Sequence, residues 1–303
     1  MLSTGRCASA ARDSRKGKAM TTPLEAVKWI HGAPDCAQST DPLIQVHAFD
    51  DDSFILRISK CYSYEGNFTY LLFGDNKAII FDTGGPPNPP TPQNIGKVLP
   101  IRQTVDGIVD GWLKKRGLEA IDLVVAHTHG HDDHSHWDRE FDNRPRTTIV
   151  RPSLQSVKTF FGLPNWPNGE ATLQLGSREL TILPLPGHQE SHIAVYDPRN
   201  KWLLTGDTLY AGKLTIEIWS DYRDSATRLA KFANAHEIIH VLGNHIEMKN
   251  LPGQLYKIGT TFQPDEHVLP LTAAHIEEFH NACEAMADDP HVDVHDDFII
   301  DNP

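Results

Sequence analysis

This sequence predicts an α/β fold in which two β-sheets pack face to face with helices outside. Three observations carry that reading. Short β-branched and aromatic runs fall into two groups, each followed by a helical stretch, so the chain divides into two β-then-α halves. With 303 residues, 39% of them hydrophobic and 22% charged, the chain can bury roughly three quarters of its unfolded surface without staples. No self-similarity at a period of about 20–50 residues is present, which excludes a solenoid.

The first twenty residues carry five basic side chains and one acid. They lack the apolar centre of a secretory signal. We expect residues 1–20 to be a disordered extension, with Met20 as an alternative start to Met1; their Arg/Ser/Ala bias resembles a mitochondrial transit peptide. Residues 21–42 form a lead-in. Strands are then expected at Ile44–Phe49, Phe54–Ile58, Phe68–Phe73 and Lys77–Phe81, separated by Asp, Gly and Asn. Phe81-Asp82-Thr83-Gly84-Gly85 ends a strand in a tight turn. The six prolines from Pro86 to Pro100 preclude regular structure and could overhang a site as a semi-rigid lid. Thr104–Arg116 places Val105, Ile108, Val109 and Trp112 at helical spacing. Ile121–Ala126 is a fully apolar strand.

In the second half, strands are expected at Ala171–Leu175, Glu179–Leu183, Ile193–Tyr196, Trp202–Thr205 and Ile238–Leu242. Helices are expected at Ser225–Ala235 and Thr272–Met286. Phe160, Phe161 and Trp166 lie in a Pro/Gly-rich connection, as pocket wall or core. The acidic tail from Asp288 to Pro303 reads as short strands around 292–294 and 298–300, at an edge suited to a homodimer contact.

Charge and composition exclude several functions. The net charge is −12, and removing the basic extension leaves −16 on the rest, the wrong sign for a protein that neutralises phosphates, so nucleic acid is not an expected partner. No apolar run approaches the ~18 residues of a membrane helix, so no membrane partner is expected either. Cys7, Cys36, Cys61 and Cys283 are widely scattered. That spacing predicts neither a disulfide framework nor a thiolate zinc site, and it predicts reduced thiols in a cytoplasmic protein.

Histidine is where the sequence departs from the ordinary: there are 17, and they cluster. The segment Ala126-His127-Thr128-His129-Gly130-His131-Asp132-Asp133-His134 ends an apolar strand in four metal-competent side chains, His129, His131, Asp133 and His134. Zinc accepts imidazole nitrogen and carboxylate oxygen, and catalytic sites keep one position open. Alternate residues of an extended segment share a face, so His129 and His131 can hold one ion. A turn from Asp132 re-aims Asp133 and His134 toward a second, and Gly130 allows close backbone approach. Three further candidates follow apolar strands at Gly or Pro turns: His188 in Leu185-Pro186-Gly187-His188, Asp207 in Thr205-Gly206-Asp207, and His245 in Gly243-Asn244-His245.

His129-x-His131-x-Asp133-His134, a Gly-His, a Gly-Asp and a terminal His together resemble the metallo-β-lactamase superfamily, over roughly residues 43–250 and including the Asp82-Thr83-Gly84 turn. The resemblance implies a four-layer αββα sandwich, with residues 251–303 completing the fold. It implies a dinuclear site with two Zn2+, Fe or Mn being the other metals this donor set tolerates. His129, His131 and His188 would hold the first ion; Asp133, His134 and His245 the second; Asp207 would bridge them. The implied activity is metal-dependent hydrolysis of an ester, thioester, lactone or related small-molecule bond by a metal-bridging hydroxide, with Asp133 as acid–base.

Asp207 at the bridging position resembles the glyoxalase II and lactonase branches more than true β-lactamases, which leaves β-lactam hydrolysis as a side activity. The chain reads Gly187-His188-Gln189-Glu190 where glyoxalase II enzymes usually read Gly-His-Thr-Pro-Gly, and the stretch after His245 is short and acidic. Both argue against a glutathione thioester. The alternatives are a mononuclear iron persulfide dioxygenase and a catalytically silent metal-binding protein. Asp82 is expected to orient the site from behind the ligands, and His127, His136 and His192 to support rather than ligate. Tyr210 is a candidate oxyanion donor.

Overall fold

The structure is a computed structural model and describes residues 22–87 and 96–301. The basic extension, Cys7 and the centre of the proline loop, with any lid it forms, lie outside the described residues.

The first sheet is built from β1 (Ile44–Asp50), β2 (Ser53–Ile58), β3 (Phe68–Phe73) and β4 (Lys77–Phe81), an antiparallel meander. α1 (Ile101–Arg116) carries the chain over to β5 (Asp122–Ala126), which pairs parallel to β4. A single helical turn, α2 (Asp132–Ser135), leads to β6 (Thr147–Ile149), parallel to β5. After α3 (Leu154–Phe161) the second sheet begins with β7 (Ala171–Gln174), β8 (Glu179–Pro184), β9 (Ile193–Asp197) and β10 (Trp202–Gly206). β11 (Lys213–Thr215) leaves that sheet, α4 (Trp219–Ala235) packs outside it, and β12 (His240–Gly243) returns parallel to β10. β13 (Pro270–Leu271), α5 (Ala273–Met286), β14 (Asp293–Val294) and β15 (Ile299–Asp301) complete the chain. Among the described residues the strand orders are β1-β2-β3-β4-β5-β6, β13-β12-β10-β9-β8-β7, and a small sheet β11-β15-β14.

Period-2 alternation explains the layers. Tyr70, Leu72, Ile79 and Phe81 of the first sheet meet Ile182, Val195, Trp202 and Leu204 of the second in a central core. The opposite faces, Leu71, Phe73, Ile80 and Val125, pack under Val105, Val109 and Trp112 of α1. On the far side Leu183, Tyr196, Leu203 and Val241 pack against Tyr222, Leu229 and Phe232 of α4 and Phe279 of α5. Strands buried on both faces read as continuous apolar runs, which is why β3 through β5 and β8 through β10 stand out in the sequence. The result is the expected αββα sandwich. β4 and β5 run parallel, and β8, β10 and β12 share one direction, so the turns carrying the metal-competent residues leave the sheets together.

Several elements differ from the expectation. α1 begins at Ile101, straight after Pro100. α4 begins at Trp219 rather than Ser225, because Tyr222 in its first turn is drawn into the core despite its polar neighbours. α3 was not expected. Ser153 caps it, Gly162 closes it in the left-handed conformation, and Val157 and Phe161 pin it to the central core with Phe160 and Trp166 beside them. These aromatics are core rather than pocket wall. β15 pairs parallel to β11, so the acidic tail is built into the body of the protein.

The expectation of reduced thiols is corrected: Cys36 and Cys61 are disulfide-bonded across a separation of 25 residues. The lead-in folds back along the turn after β2, where Gly32 lies against Lys60 and pairs with Phe262. Only this tertiary path brings the two sulfurs together. Cys283 is free and buried. The disulfide also removes the support that reduced thiols gave to a cytoplasmic location. No helix among the described residues is long and apolar enough to cross a membrane.

One buried ion pair ties the two sheets together. Arg178, between β7 and β8, holds both carboxylate oxygens of Asp197 at the end of β9, and donates to the carbonyls of Asp52 and Phe73 and to Ser53 Oγ on the first sheet. Both side chains are fully buried. Asp197→Ala would strand a buried guanidinium and should destabilise the fold by about 3–5 kcal/mol, whereas Arg178→Met/Asp197→Leu together should cost far less. Denaturant titration of the two variants reads the difference; equal losses would refute it.

Candidate metal centre

The site begins with one carboxylate. Asp82 follows β4 with φ of 70°, a conformation that costs a non-glycine residue strain and persists only where its surroundings enforce it. Its N–H donates to the Ala126 carbonyl at the end of β5. Its fully buried carboxylate accepts from Thr128 N (2.8 Å), Thr128 Oγ1 (2.9 Å) and Asn244 Nδ2 (2.7 Å). Asp82 thus fastens the ends of β4, β5 and β12 to one another.

On this base the histidines form two clusters. In the first, His129 Nε2 lies 3.0 Å from His131 Nδ1, and His188 Nε2 lies 3.2 and 3.1 Å from those two atoms. The hydrogen-bond network assigns each ring's proton to its outer nitrogen. His188 Nδ1 faces the Thr215 carbonyl (2.7 Å), and His131 Nε2 faces Glu217 Oε1 (3.0 Å). His129 Nδ1 faces Thr128 Oγ1 (3.2 Å), whose own hydrogen goes to Asp82. Three bare nitrogens therefore converge. Ligands at about 2.0–2.1 Å from a tetrahedral zinc stand about 3.3–3.4 Å apart, close to what the chain provides. Burial, reinforced by His134 and His188, holds His129 well below the usual imidazole range, and burial likewise lowers His188.

The second cluster is Asp133, His134, Asp207 and His245. His134 Nε2 lies 3.2 Å from Asp133 Oδ2 and 3.3 Å from Asp207 Oδ2, and His245 Nε2 lies 3.3 Å from both carboxylates. Behind them, His134 Nδ1 faces Asp82 Oδ2 (3.3 Å) and His245 Nδ1 faces the Glu65 carbonyl (3.2 Å). Burial works against charge here, but the pairing of imidazoles with carboxylates outweighs it for both partners. His134 and His245 are raised well above the usual imidazole range, and Asp133 and Asp207 held well below the carboxylate range. Asp207 Oδ2 is also 3.8 Å from His188 Nε2 and 4.0 Å from His129 Nε2, between the clusters. Its buried Oδ1 has no hydrogen-bond partner among the described residues. An orphaned carboxylate oxygen and a convergence of bare nitrogens are what a cation-binding site looks like from the protein's side.

Glycine geometry sets two of these residues. Gly206, before Asp207, has φ of 52°, and a Cβ there would lie 2.6 Å from His192 Nε2; Gly187, before His188, has φ of 133° and abuts the backbone of Tyr222. Gly130 instead faces Gln189 and the Pro152 carbonyl, making room for the loop that carries His188.

The remaining expectations separate cleanly. His127 is turned away between the Val150 carbonyl (3.0 Å) and Asp138 (2.8 Å). His136 pairs with Asp132 on the surface of α2. His192 accepts from Asp207 N (3.1 Å) and stacks on His129, which supports both clusters. Tyr210 lines the pocket, but its hydroxyl is engaged by the Lys213 carbonyl (2.8 Å) and Glu247 (3.0 Å). Serving as an oxyanion donor would require it to leave both partners. Sequence reasoning missed Thr128, Asn67 and Glu217. Thr128 alternates with the ligands and was readable from that spacing. Asn67, whose Nδ2 donates to Asp133 Oδ2 (3.2 Å), and Glu217 gave no local signal. A cavity of about 210 Å3 opens above the clusters, with His131, Asp133, His188, Asp207 and His245 in its floor.

The sequence profile of the metallo-beta-lactamase superfamily matches residues 64–236. The chain is 31% identical to the acyl-coenzyme A thioesterase MBLAC2 of Homo sapiens over 220 residues, 63% of this chain and 73% of that protein. The match to its Gallus gallus counterpart spans 34% of that protein. It is 33% identical to the hydroxyacylglutathione hydrolase GloC of Haemophilus influenzae over 116 residues, 31% of this chain and 55% of that one. Among solved structures, the metallo-beta-lactamase FIM-1 from Pseudomonas aeruginosa superposes with a TM-score of 0.51 at 15% identity, over 83% of this chain and 99% of that one, a likeness of fold.

Because Thr128 and Asp82 orient rings of both clusters, Thr128→Val and Asp82→Ala should each weaken metal affinity about 10–100-fold without removing a ligand. Competition against a chromophoric chelator measures this. Unchanged affinity in both variants would mean that packing alone aims the rings.

Proposed function

The chain belongs to the metallo-β-lactamase superfamily, and from that premise we propose that it is a dinuclear zinc hydrolase acting on thioesters. The observation that carries this reading is the pair of adjoining donor clusters, one of three imidazoles and one of two imidazoles and two carboxylates, with Asp207 between them. Two complete donor sets favour two ions over a single iron, and hydrolysis over persulfide oxygenation. A mixed imidazole and carboxylate set suits zinc. The thioester follows from the relatives, which are named for hydrolysis of coenzyme A and glutathione thioesters.

His129, His131 and His188 would hold one ion, Asp133, His134 and His245 the other, with Asp207 bridging. When bound, the ions supply an acidified water nucleophile and polarise the acyl oxygen. The protein residues manage the proton. Asp133 is the more exposed carboxylate of the pair, with 25% of its side chain accessible against 8% for Asp207. The Asn67 amide fixes its Oδ2. It can take a proton from the attacking water and return it to the departing sulfur. The balance is simple: a C–O bond forms at the acyl carbon, the C–S bond breaks, and water is consumed to give a carboxylic acid and a thiol.

Elemental analysis of protein purified without added metal should give two zinc per chain. Chelation should abolish thioester hydrolysis, and zinc should restore it. Asp133→Asn should lower kcat by about 10²–10⁴-fold. One iron per chain with oxygen consumption on a persulfide would replace this reading with the oxygenase.

A further inference from the structure

The cavity above the two donor clusters has lining residues that the chemistry so far leaves unused. Gln263 is one of them, 5% exposed. Its N–H donates to the His31 carbonyl and its Nε2 to the Thr260 carbonyl, but its buried Oε1 has no hydrogen-bond partner among the described residues. Lys60 lines the same cavity, 1% exposed. Its Nζ donates to the Tyr64 carbonyl (3.1 Å) and pairs with Glu266 (3.4 Å), which Arg57 also holds at 2.8 Å. An ammonium has three protons, so one remains beyond these two partners. Burial pushes Lys60 down to about 8, with Glu266 opposing, which leaves it predominantly charged at neutral pH.

A buried acceptor and a buried donor in the lining of one cavity can be satisfied together by a neutral group that both donates and accepts, and the secondary amide is such a group. A carboxylate or phosphate would meet Lys60 but set a second acceptor against Gln263 Oε1, with Glu65 and Glu247 in the same cavity adding repulsion. An amine would meet Gln263 and be repelled by Lys60. If the substrate is a thioester, as proposed above, the amide belongs to its thiol half. Coenzyme A and glutathione, the thiols named in the relatives, both place an amide nitrogen two carbons from sulfur. We infer that Lys60 and Gln263 clamp this amide, Lys60 donating to its carbonyl and Gln263 Oε1 accepting its N–H, and so select thioesters of β-amidoethyl thiols.

The test compares the thioacetate of N-acetylcysteamine with an alkyl thioacetate of equal chain length on the zinc-loaded enzyme, each corrected for alkaline hydrolysis. The amide substrate should be preferred about tenfold or more in kcat/KM. That ratio should collapse toward one in Gln263→Leu and in Lys60→Met, and persist in Gln263→Glu, which keeps the acceptor. Circular dichroism checks that each variant folds. Equal turnover of both substrates by the unaltered protein, or a preference that survives both Gln263→Leu and Lys60→Met, would overturn the clamp. If neither substrate turns over, the thioesterase reading fails, and calorimetry with S-ethyl N-acetylcysteamine decides the clamp by itself. Binding that Gln263→Leu weakens supports it, and no binding overturns it.

Discussion

The buried carboxylate of Asp82 is the constraint on which the candidate metal centre depends. It receives four groups: the Thr128 amide and hydroxyl, the Asn244 amide and the outer nitrogen of His134. A carboxylate taken from water must be repaid in hydrogen bonds, and here every contact comes from a segment that carries a ligand. Thr128 passes the effect on, since its oxygen faces the outer nitrogens of both His129 and His134. One anion therefore sets the aim of rings in both clusters. The positive φ at Asp82 is the conformational cost of placing it there.

The sandwich makes such a constraint effective. Central strands buried on both faces cannot slip in register without moving apolar side chains into the wrong layer, so their ends are fixed relative to one another. Across the two sheets, Phe68 N donates to the Asn244 carbonyl (2.8 Å), Asn244 Nδ2 to the Phe68 carbonyl (2.6 Å), and Tyr70 Oη to the Gly243 carbonyl. These bonds set the His245 turn against the first sheet. Loops hung from such edges can hold donors to a few tenths of an ångström, as a metal centre requires.

How much of this was legible in the sequence follows from how local each signal is. The central strands and the seven metal-competent residues could be read because each strand is continuous and the candidates follow strand ends at Gly, Pro or His-rich turns, four of them after β5 and one each after β8, β10 and β12. The structure brings all seven together. The groups that orient the rings were largely invisible. Thr215 and Glu65 act through carbonyls, which no residue type announces, and Asn67 stands 66 positions from the Asp133 it holds. The Cys36–Cys61 bond depends on the lead-in folding back, and α3 on Val157 and Phe161 finding a core laid down elsewhere. Tyr210 is the opposite case. Proximity to Asp207 in sequence suggested chemistry, whereas Glu247, distant in sequence, takes its hydroxyl.

The proposed function gives the two site aspartates different tasks, and their surroundings differ accordingly. Asp207 sits behind a glycine whose missing side chain admits His192, and is buried with its backbone N–H held by that ring. Its position leaves it little freedom beyond joining the clusters. Asp133 starts from the first turn of α2, where the helix N-terminus favours negative charge, and projects toward the cavity with Asn67 at its side. Both are strongly ionised by the same imidazoles. What separates them is access. A carboxylate that exchanges protons with a substrate must reach the cavity, and a carboxylate that only holds the clusters together is better shielded from it. The fold separates the two by placing Asp207 at a strand-end glycine turn and Asp133 on a helical turn, which is the arrangement the proposed division of tasks calls for.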